Sequence, residues 1–131
     1  MKFLLFPLLV LLPAFSSHAQ AINCRRFKTG TFVYAGLPVT SYTVREDTLQ
    51  TSYYQQGGSV TWTVAWRNEC EFDLLFVKAD SRETDFKQGD RIAVVITSVD
   101  ETCYTFRATF YPLHLTAGQV FPPGTMCFKP N

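Results

Sequence analysis

Apolar and polar residues alternate along most of the chain, and this period of two constrains the fold more than any other feature of the sequence. The segment 60–67 shows it most clearly, with alternate positions occupied by Val60, Trp62, Val64 and Trp66. A period of two with β-branched and aromatic residues is typical of a half-buried β-strand. No segment after residue 19 keeps the 3.6-residue period of an amphipathic helix. We therefore expect an all-β protein.

The same pattern predicts the remaining strands and turns. Strands are expected at 29–34, 41–54, 70–76, 92–99 and 104–110, with a short last strand within 113–121. The segment 41–54 is long enough to bend or break near Asp47. Gly57 and Gly58 predict a hairpin turn, and the polar connector 78–90 is expected to be the most mobile loop. Six or seven strands without a helix between them predict a single small antiparallel β-barrel or sandwich.

The N-terminal residues have the three-part pattern of a secretory signal peptide. A basic residue precedes the apolar run 3–12, and small residues follow up to Ala19. A membrane span needs about 20 apolar residues, so no integral membrane span is expected. We predict a signal peptide at 1–19 and a single all-β domain at 20–131, exported to the periplasm or outside the cell. Cleavage after Ala19 and cleavage after Ala21 both fit the pattern.

Four cysteines follow the predicted signal peptide: Cys24, Cys70, Cys103 and Cys127. In an exported chain an even number predicts disulfides, here two with three possible pairings, and the wide spacing disfavours zinc. We expect sequential pairing. A plain meander of the predicted strands puts Cys24 at the opposite end from Cys70, so this pairing requires the N-terminal segment to cross the barrel mouth or a different topology. Lipid attachment at Cys24 is disfavoured because Ala21 and Asn23 depart from the lipobox.

Charge and side-chain chemistry exclude several classes of function. Twelve basic and eleven acidic residues give a net charge of +1, which leaves no basic surface for nucleic acid as a partner. His114 is the one histidine after the signal peptide, and no G-x-S-x-G motif accompanies it. Glu71 and Asp73 lie on a polar strand face, and basic residues balance the acids of 78–90, so solvation explains these carboxylates better than catalysis or calcium binding. No enzyme activity, catalytic residue, cofactor or metal site is predicted.

Aromatic residues are numerous for a domain of this size. The sequence holds 12 phenylalanines, 6 tyrosines and 2 tryptophans. The packing of a small barrel core explains most of them, and a cavity or an exposed patch for a ligand is the alternative. The candidate ligand-binding or partner-surface residues are Tyr53, Tyr54, Trp62 and Trp66.

Three segments resemble a family of small exported bacterial proteins: CRRFKTGTFVY (24–34), YTVREDTLQT (42–51) and VTWTVAWRNECEFDLLFV (60–77). In that family a Cys, a K-T-G-x-F strand, an R-x-x-x-x-Q strand and a W-x-x-x-C-x-[FY]-x-L strand follow one another. The residues at matching positions are Arg45, Gln50, Trp66, Cys70, Phe72 and Leu74. The resemblance implies a lipocalin-like all-β domain, pairs Cys24 with Cys70 and implies no established activity. Some members bear the label DNA topoisomerase, which the residues of a small, neutral, exported domain do not support.

Two functions are compatible with these observations. The first is a non-catalytic binding module for a small apolar or amphipathic ligand or a cell-surface component, and it calls for an interior cavity above about 300 Å³. The alternative is a structural or protein-interaction module of the cell envelope, in which exposed aromatics and a strand edge contact an envelope protein.

Overall fold

The computed structural model describes residues 22–115 and 117–131, so the predicted signal peptide lies outside the described residues. A short 3₁₀ helix, Arg25–Phe27, precedes nine strands. The strands are β1 (Gly30–Tyr34), β2 (Tyr42–Arg45), β3 (Leu49–Tyr53), β4 (Ser59–Asn68), β5 (Glu71–Asp80), β6 (Arg91–Val99), β7 (Cys103–Tyr111), β8 (Gln119–Val120) and β9 (Gly124–Phe128).

The sheet closes into a barrel of eight strands. Each strand from β1 to β7 pairs antiparallel with the next, and β9 pairs with both β7 and β1. The first half of β7 pairs with β9, and the two-residue strand β8 pairs with the second half of β7 on the same edge. Pro122 and Pro123 separate β8 from β9, and a proline has no N–H to donate to the ladder. The all-β prediction is confirmed, and the structure is a barrel rather than a sandwich, with the up-and-down architecture that lipocalins also use.

The alternating positions point into the barrel as predicted. The buried apolar side chains of the central strands come from every second residue, as in Val60, Trp62 and Val64 on β4. The same holds for β5 to β7, whose buried core residues are Phe72, Leu74, Val94, Ile96, Tyr104 and Ala108. A single layer of sheet therefore encloses one continuous core.

The segment 41–54 breaks near Asp47, as its length indicated, and forms the two strands β2 and β3. This break changes which end of the barrel holds Cys24. The chain turns at 46–48, where the Glu46 amide donates to the Leu49 carbonyl at 2.8 Å. The extra turn reverses the direction of every earlier strand. The expectation that Cys24 and Cys70 lie at opposite ends was therefore wrong, because it counted one strand too few.

We call the two ends of the barrel the helix end and the loop end. The helix end carries the 3₁₀ helix and the β2–β3, β4–β5 and β6–β7 turns. The loop end carries the connections 35–41, 54–58, 81–90 and 112–118. The helix packs into its end through Phe27, whose ring is fully buried 5.1 Å from that of Phe128 and 5.2 Å from that of Tyr104.

Two disulfides hold the helix end. Cys24 bonds Cys70 and fixes the N-terminal segment to the β4–β5 turn. Cys103 bonds Cys127, its direct partner across the β7–β9 pairing. The Cys24 sulfur is thus engaged and offers no thiol for a lipid. The two bonds indicate an oxidising, extracytoplasmic compartment.

The loop that was expected to be the most mobile is tied to the barrel by two side chains. Phe86 packs its ring 4.8 Å from that of Trp62 and 5.4 Å from that of Phe110. Asp90 is buried, and its carboxylate accepts hydrogen bonds from the backbone amides of Lys87 and Leu113. The loop therefore covers part of the loop end.

No helix within 22–115 or 117–131 is both long enough and apolar enough to cross a bilayer.

Candidate functional site

A cavity of about 240 Å³ lies inside the barrel. Most of its wall is apolar, with contributions from Leu74, Val94, Ala108 and Met126. Polar side chains gather at the part of the cavity nearest the helix end, where its lining includes Arg45, Gln50 and Tyr104. The cavity is thus amphipathic along its length.

Arg45 supplies the one full charge of the cavity lining, and its side chain is almost completely buried. Its Nε donates to Gln50 Oε1 at 2.8 Å, one Nη donates to the Phe27 carbonyl at 2.8 Å, and the other donates to the Tyr104 hydroxyl at 2.6 Å. All three acceptors are neutral. The charge is held in place without being neutralised.

Aromatic rings surround the same guanidinium. Its central carbon lies 4.6 Å from the ring centroid of Phe72, 4.9 Å from that of Phe32 and 5.6 Å from that of Tyr104. The negative face of an aromatic ring attracts a cation, and the attraction is greater where water is excluded. These rings partly compensate the loss of hydration that burial imposes on Arg45.

The β2–β3 hairpin determines where this polar group lies. Arg45 and Gln50 are direct partners in the β2–β3 register, at the last and second positions of their strands. Both occupy inward positions of the alternating pattern, as do Thr43 and Ser52, whose hydroxyl oxygens lie 2.9 Å apart. The interior of this hairpin is therefore polar, whereas the interiors of β4 to β6 are apolar.

A second cavity of about 170 Å³ lies on the loop-end side of the same hairpin. Tyr34 lines both cavities, so its side chain stands between them. The pKa of Tyr34 is raised, first because burial of the hydroxyl disfavours the charged form and then because Tyr104 and Tyr54 lie nearby, with Arg45 opposing the shift. This shift favours the protonated hydroxyl, which is the form that donates a hydrogen bond.

The lining of the cavity that contains Arg45 extends to residues beside the interruption between β8 and β9. Phe121 and the exposed Pro122 line it there, next to the partly exposed ring of Tyr34. Pro122 and Pro123 have no N–H to donate to the ladder, so this part of the wall has fewer cross-strand hydrogen bonds.

The four aromatic residues singled out from the sequence lie in different places. Trp62 is buried in the core and packs against Phe76 and Phe86. Trp66 is half-buried at the helix end, 4.5 Å from the ring of Phe72. Tyr53 and Tyr54 line the smaller cavity. None of the four lines the cavity that contains Arg45. The ligand-binding role suggested for Tyr53 and Tyr54 therefore concerns the cavity of about 170 Å³.

His114 and the strand carboxylates that were considered for catalysis lie on different elements of the fold. His114 is exposed in the loop after β7. Asp73 forms ion pairs with Arg67 and Arg91 on the outer face, each at 3.4 Å. Within 22–115 and 117–131, no three His, Cys, Asp or Glu side chains cluster closely enough to hold a metal ion.

Sequence reasoning missed Arg45, Gln50 and Tyr104 as members of one site. The available signal was the presence of polar residues at inward positions of the 41–54 segment. That signal is readable only after the break at 46–48 is placed, because a shift of one residue exchanges the inward and outward faces of a strand.

Fold and cavity together define the class: a closed eight-stranded antiparallel barrel with two disulfides and an amphipathic interior cavity. The chain matches no protein-family model, no curated protein and no solved structure. The resemblance noted in the sequence is therefore supported as far as the barrel fold, and no family is established.

Proposed function

We propose that this protein is a non-catalytic binding module that holds one small amphipathic molecule inside its barrel. The observation that carries the proposal is the cavity of about 240 Å³ with an apolar wall and a polar group at one end. Ligand sites typically combine a mostly apolar lining with a few placed polar groups. A closed barrel of eight strands can hold one small ligand.

The cavity size limits the ligand. Pockets for drug-sized ligands have volumes of about 300 Å³ or more. The cavity of about 240 Å³ is below this value, which counts against the drug-sized ligand that the sequence-based hypothesis called for. An apolar cavity of about 150 Å³ accommodates benzene. The ligand class is therefore a single-ring or short-chain molecule, rather than a long-chain lipid.

The proposed place of action is the periplasm or the extracellular space. Two disulfides support an oxidising compartment. Removal of residues 1–19 by signal peptidase would leave the N-terminus close to Cys24.

The test is methyl NMR of the disulfide-bonded protein during titration with hexan-1-ol and hexanoate. We expect saturable shifts in the methyl groups of Leu74, Val94, Ala108 and Met126. Ala108→Leu adds three carbons inside the cavity and should abolish the shifts. Ala65→Leu adds the same atoms to the exposed outer face of β4 and is the matched control. Unshifted methyl groups, or an Ala108→Leu variant that binds like the wild type, would contradict the proposal.

A second candidate function, a protein-interaction module of the envelope, is favoured by exposed apolar residues in loop-end connections. These are Leu37, Val39, Leu113 and Leu115, exposed by 57, 47, 72 and 56%. Clustered exposed apolar side chains often mark interaction surfaces. A photo-crosslinker at Leu113 should give one dominant protein adduct in the native envelope, and one at Arg107 on the outer barrel wall should give none. Equal labelling from both positions would contradict this second candidate.

A further inference from the structure

Arg45 carries a buried positive charge, and no carboxylate within 22–115 or 117–131 forms an ion pair with it. Its side chain is 2% exposed, and the ion pairs among residues 22–115 and 117–131 all involve other basic residues. Transfer of an ion from water to a protein interior costs several kcal/mol unless a counter-charge and hydrogen bonds compensate it. Hydrogen bonds are present around Arg45, but the described part of the chain supplies no counter-charge.

The guanidinium also has hydrogen-bonding capacity left over. It has five N–H donors, and three of them meet Gln50, Phe27 and Tyr104. Arg45 lines the cavity, so the cavity is the space in which a further acceptor fits. An acceptor with negative charge would supply both the hydrogen bonds and the missing counter-charge.

We propose that Arg45 is the recognition residue for an anion, and that the ligand is a small organic monocarboxylate with a short chain or a single ring. This inference rests on the proposed function and names its ligand class. A carboxylate matches the planar donor fork of arginine. One negative charge balances one guanidinium, whereas a dianion would leave an unpaired charge in the interior.

The shape of the cavity places the rest of such a molecule. With the carboxylate at Arg45, the tail lies along the apolar wall formed by Leu74, Val94, Ala108 and Met126. In this proposal the molecule enters beside Phe121 and Pro122, which line the cavity. The neutral hydroxyl of Tyr34, which lines the cavity, is available as a further donor.

The test compares three molecules that share a six-carbon chain, namely hexanoate, hexan-1-ol and hexylamine, on the wild-type protein. We expect hexanoate to bind at least tenfold tighter than hexan-1-ol, and hexylamine more weakly than either. The ¹⁵N resonances of the Arg45 Nη atoms, which carry the two remaining donors, should shift with hexanoate and stay in place with hexan-1-ol. This wild-type measurement does not depend on the folding of any variant.

Gln50→Glu provides the matched variant. A glutamate at this position accepts the same hydrogen bond from Arg45 and supplies an internal counter-charge. Its preference for hexanoate over hexan-1-ol should fall at least tenfold, because the guanidinium is then already balanced by a carboxylate. Gln55→Glu makes the same charge change at an exposed turn of the loop end and should keep the wild-type preference.

The outcomes separate the two proposals. Equal affinity of the wild type for hexanoate and hexan-1-ol, or an undiminished preference in Gln50→Glu, would overturn the anion inference and leave the binding function standing. If none of the three molecules shifts the cavity methyl groups, the proposed function itself fails.

Discussion

Arg45 and Gln50 are direct partners across the β2–β3 hairpin, and Arg45 Nε donates to Gln50 Oε1 at 2.8 Å. The pair lies inside the barrel, where the neighbouring strands β1 and β4 contribute Phe32, Val60, Trp62 and Val64 to the core. A buried guanidinium at such a position depends on each of its hydrogen-bond acceptors for stability, because water cannot replace one that is lost. The consequences of removing one acceptor can therefore be predicted.

Tyr104→Phe is expected to lower the free energy of unfolding by about 1–3 kcal/mol, the usual cost of a buried donor left without a partner. The Tyr104 hydroxyl accepts from Arg45 and donates to the Met126 sulfur at 3.2 Å, so both contacts are lost. Urea unfolding measures the change. Tyr111→Phe, on the outer face of the same strand, should stay close to the wild type. Equal stability of the two variants would contradict the role given to Tyr104.

The two disulfides should contribute unequally to stability. They close loops of 46 and 24 residues, for which chain entropy gives about 4 and about 3.5 kcal/mol. Cys24 is also fully buried and fixes the helix that carries Phe27. The double variant Cys24→Ser/Cys70→Ser should therefore be less stable in urea than Cys103→Ser/Cys127→Ser, and the reverse order would contradict this account.

Phe86→Ala should loosen the loop end and expose Trp62. Phe86 packs edge to face against Trp62 with ring centroids 4.8 Å apart. Loss of a buried phenylalanine costs about 3–5 kcal/mol, and about 3 is expected because Phe86 is half-buried. Tryptophan emission should shift to the red in the folded variant. Leu115→Ala, an exposed residue of the same end, should leave both emission and stability unchanged. An unshifted spectrum for Phe86→Ala would argue against a covering role for this loop.

The ionised carboxylate of Asp90 should stabilise the folded protein at neutral pH, and this contribution should be lost in acid. The hydrogen bond from the Leu113 amide is the largest cause that lowers the Asp90 pKa, and the Lys87 amide adds to it, together outweighing the opposing effect of desolvation. A carboxylate with a lower pKa in the folded protein adds stability above its unfolded pKa of about 3.9. This contribution is lost as the pH falls through the folded pKa.

The variant Asp90→Asn should therefore be less stable than the wild type at neutral pH, and the gap should narrow in acid. Urea unfolding at about pH 7 and about pH 2.5 measures both differences, on either side of the unfolded pKa. Asp85→Asn removes an exposed charge from the same loop and controls for net charge. A gap between Asp90→Asn and the wild type that is constant with pH would contradict the assignment.

The central strands and the barrel class could be predicted because alternation depends only on neighbouring residues. Val60, Trp62 and Val64 alternate on a strand with one face buried, and a period of two records that directly. The two-disulfide expectation was also local in origin, since it followed from an even cysteine count in an exported chain.

The ends of the barrel could not be predicted in the same way. The turn at 46–48 contains neither glycine nor proline, so the chain reversal there carries little local signal. The length of 41–54 indicated a bend or break near Asp47, but the meander that counted this segment as one strand placed Cys24 at the wrong end and hid the partnership of Arg45 with Gln50. Phe86 lies in a polar segment, and its inward packing depends on Trp62 and Phe110, which are distant in sequence.

Native mass spectrometry of the disulfide-bonded protein purified from its own host tests the central claim most directly. A one-to-one complex with a small organic acid is predicted, and the acid should be released when the protein is unfolded. The bare mass of the chain, together with no adduct after hexanoate is added, would contradict the claim that the barrel interior is a binding site for small anions.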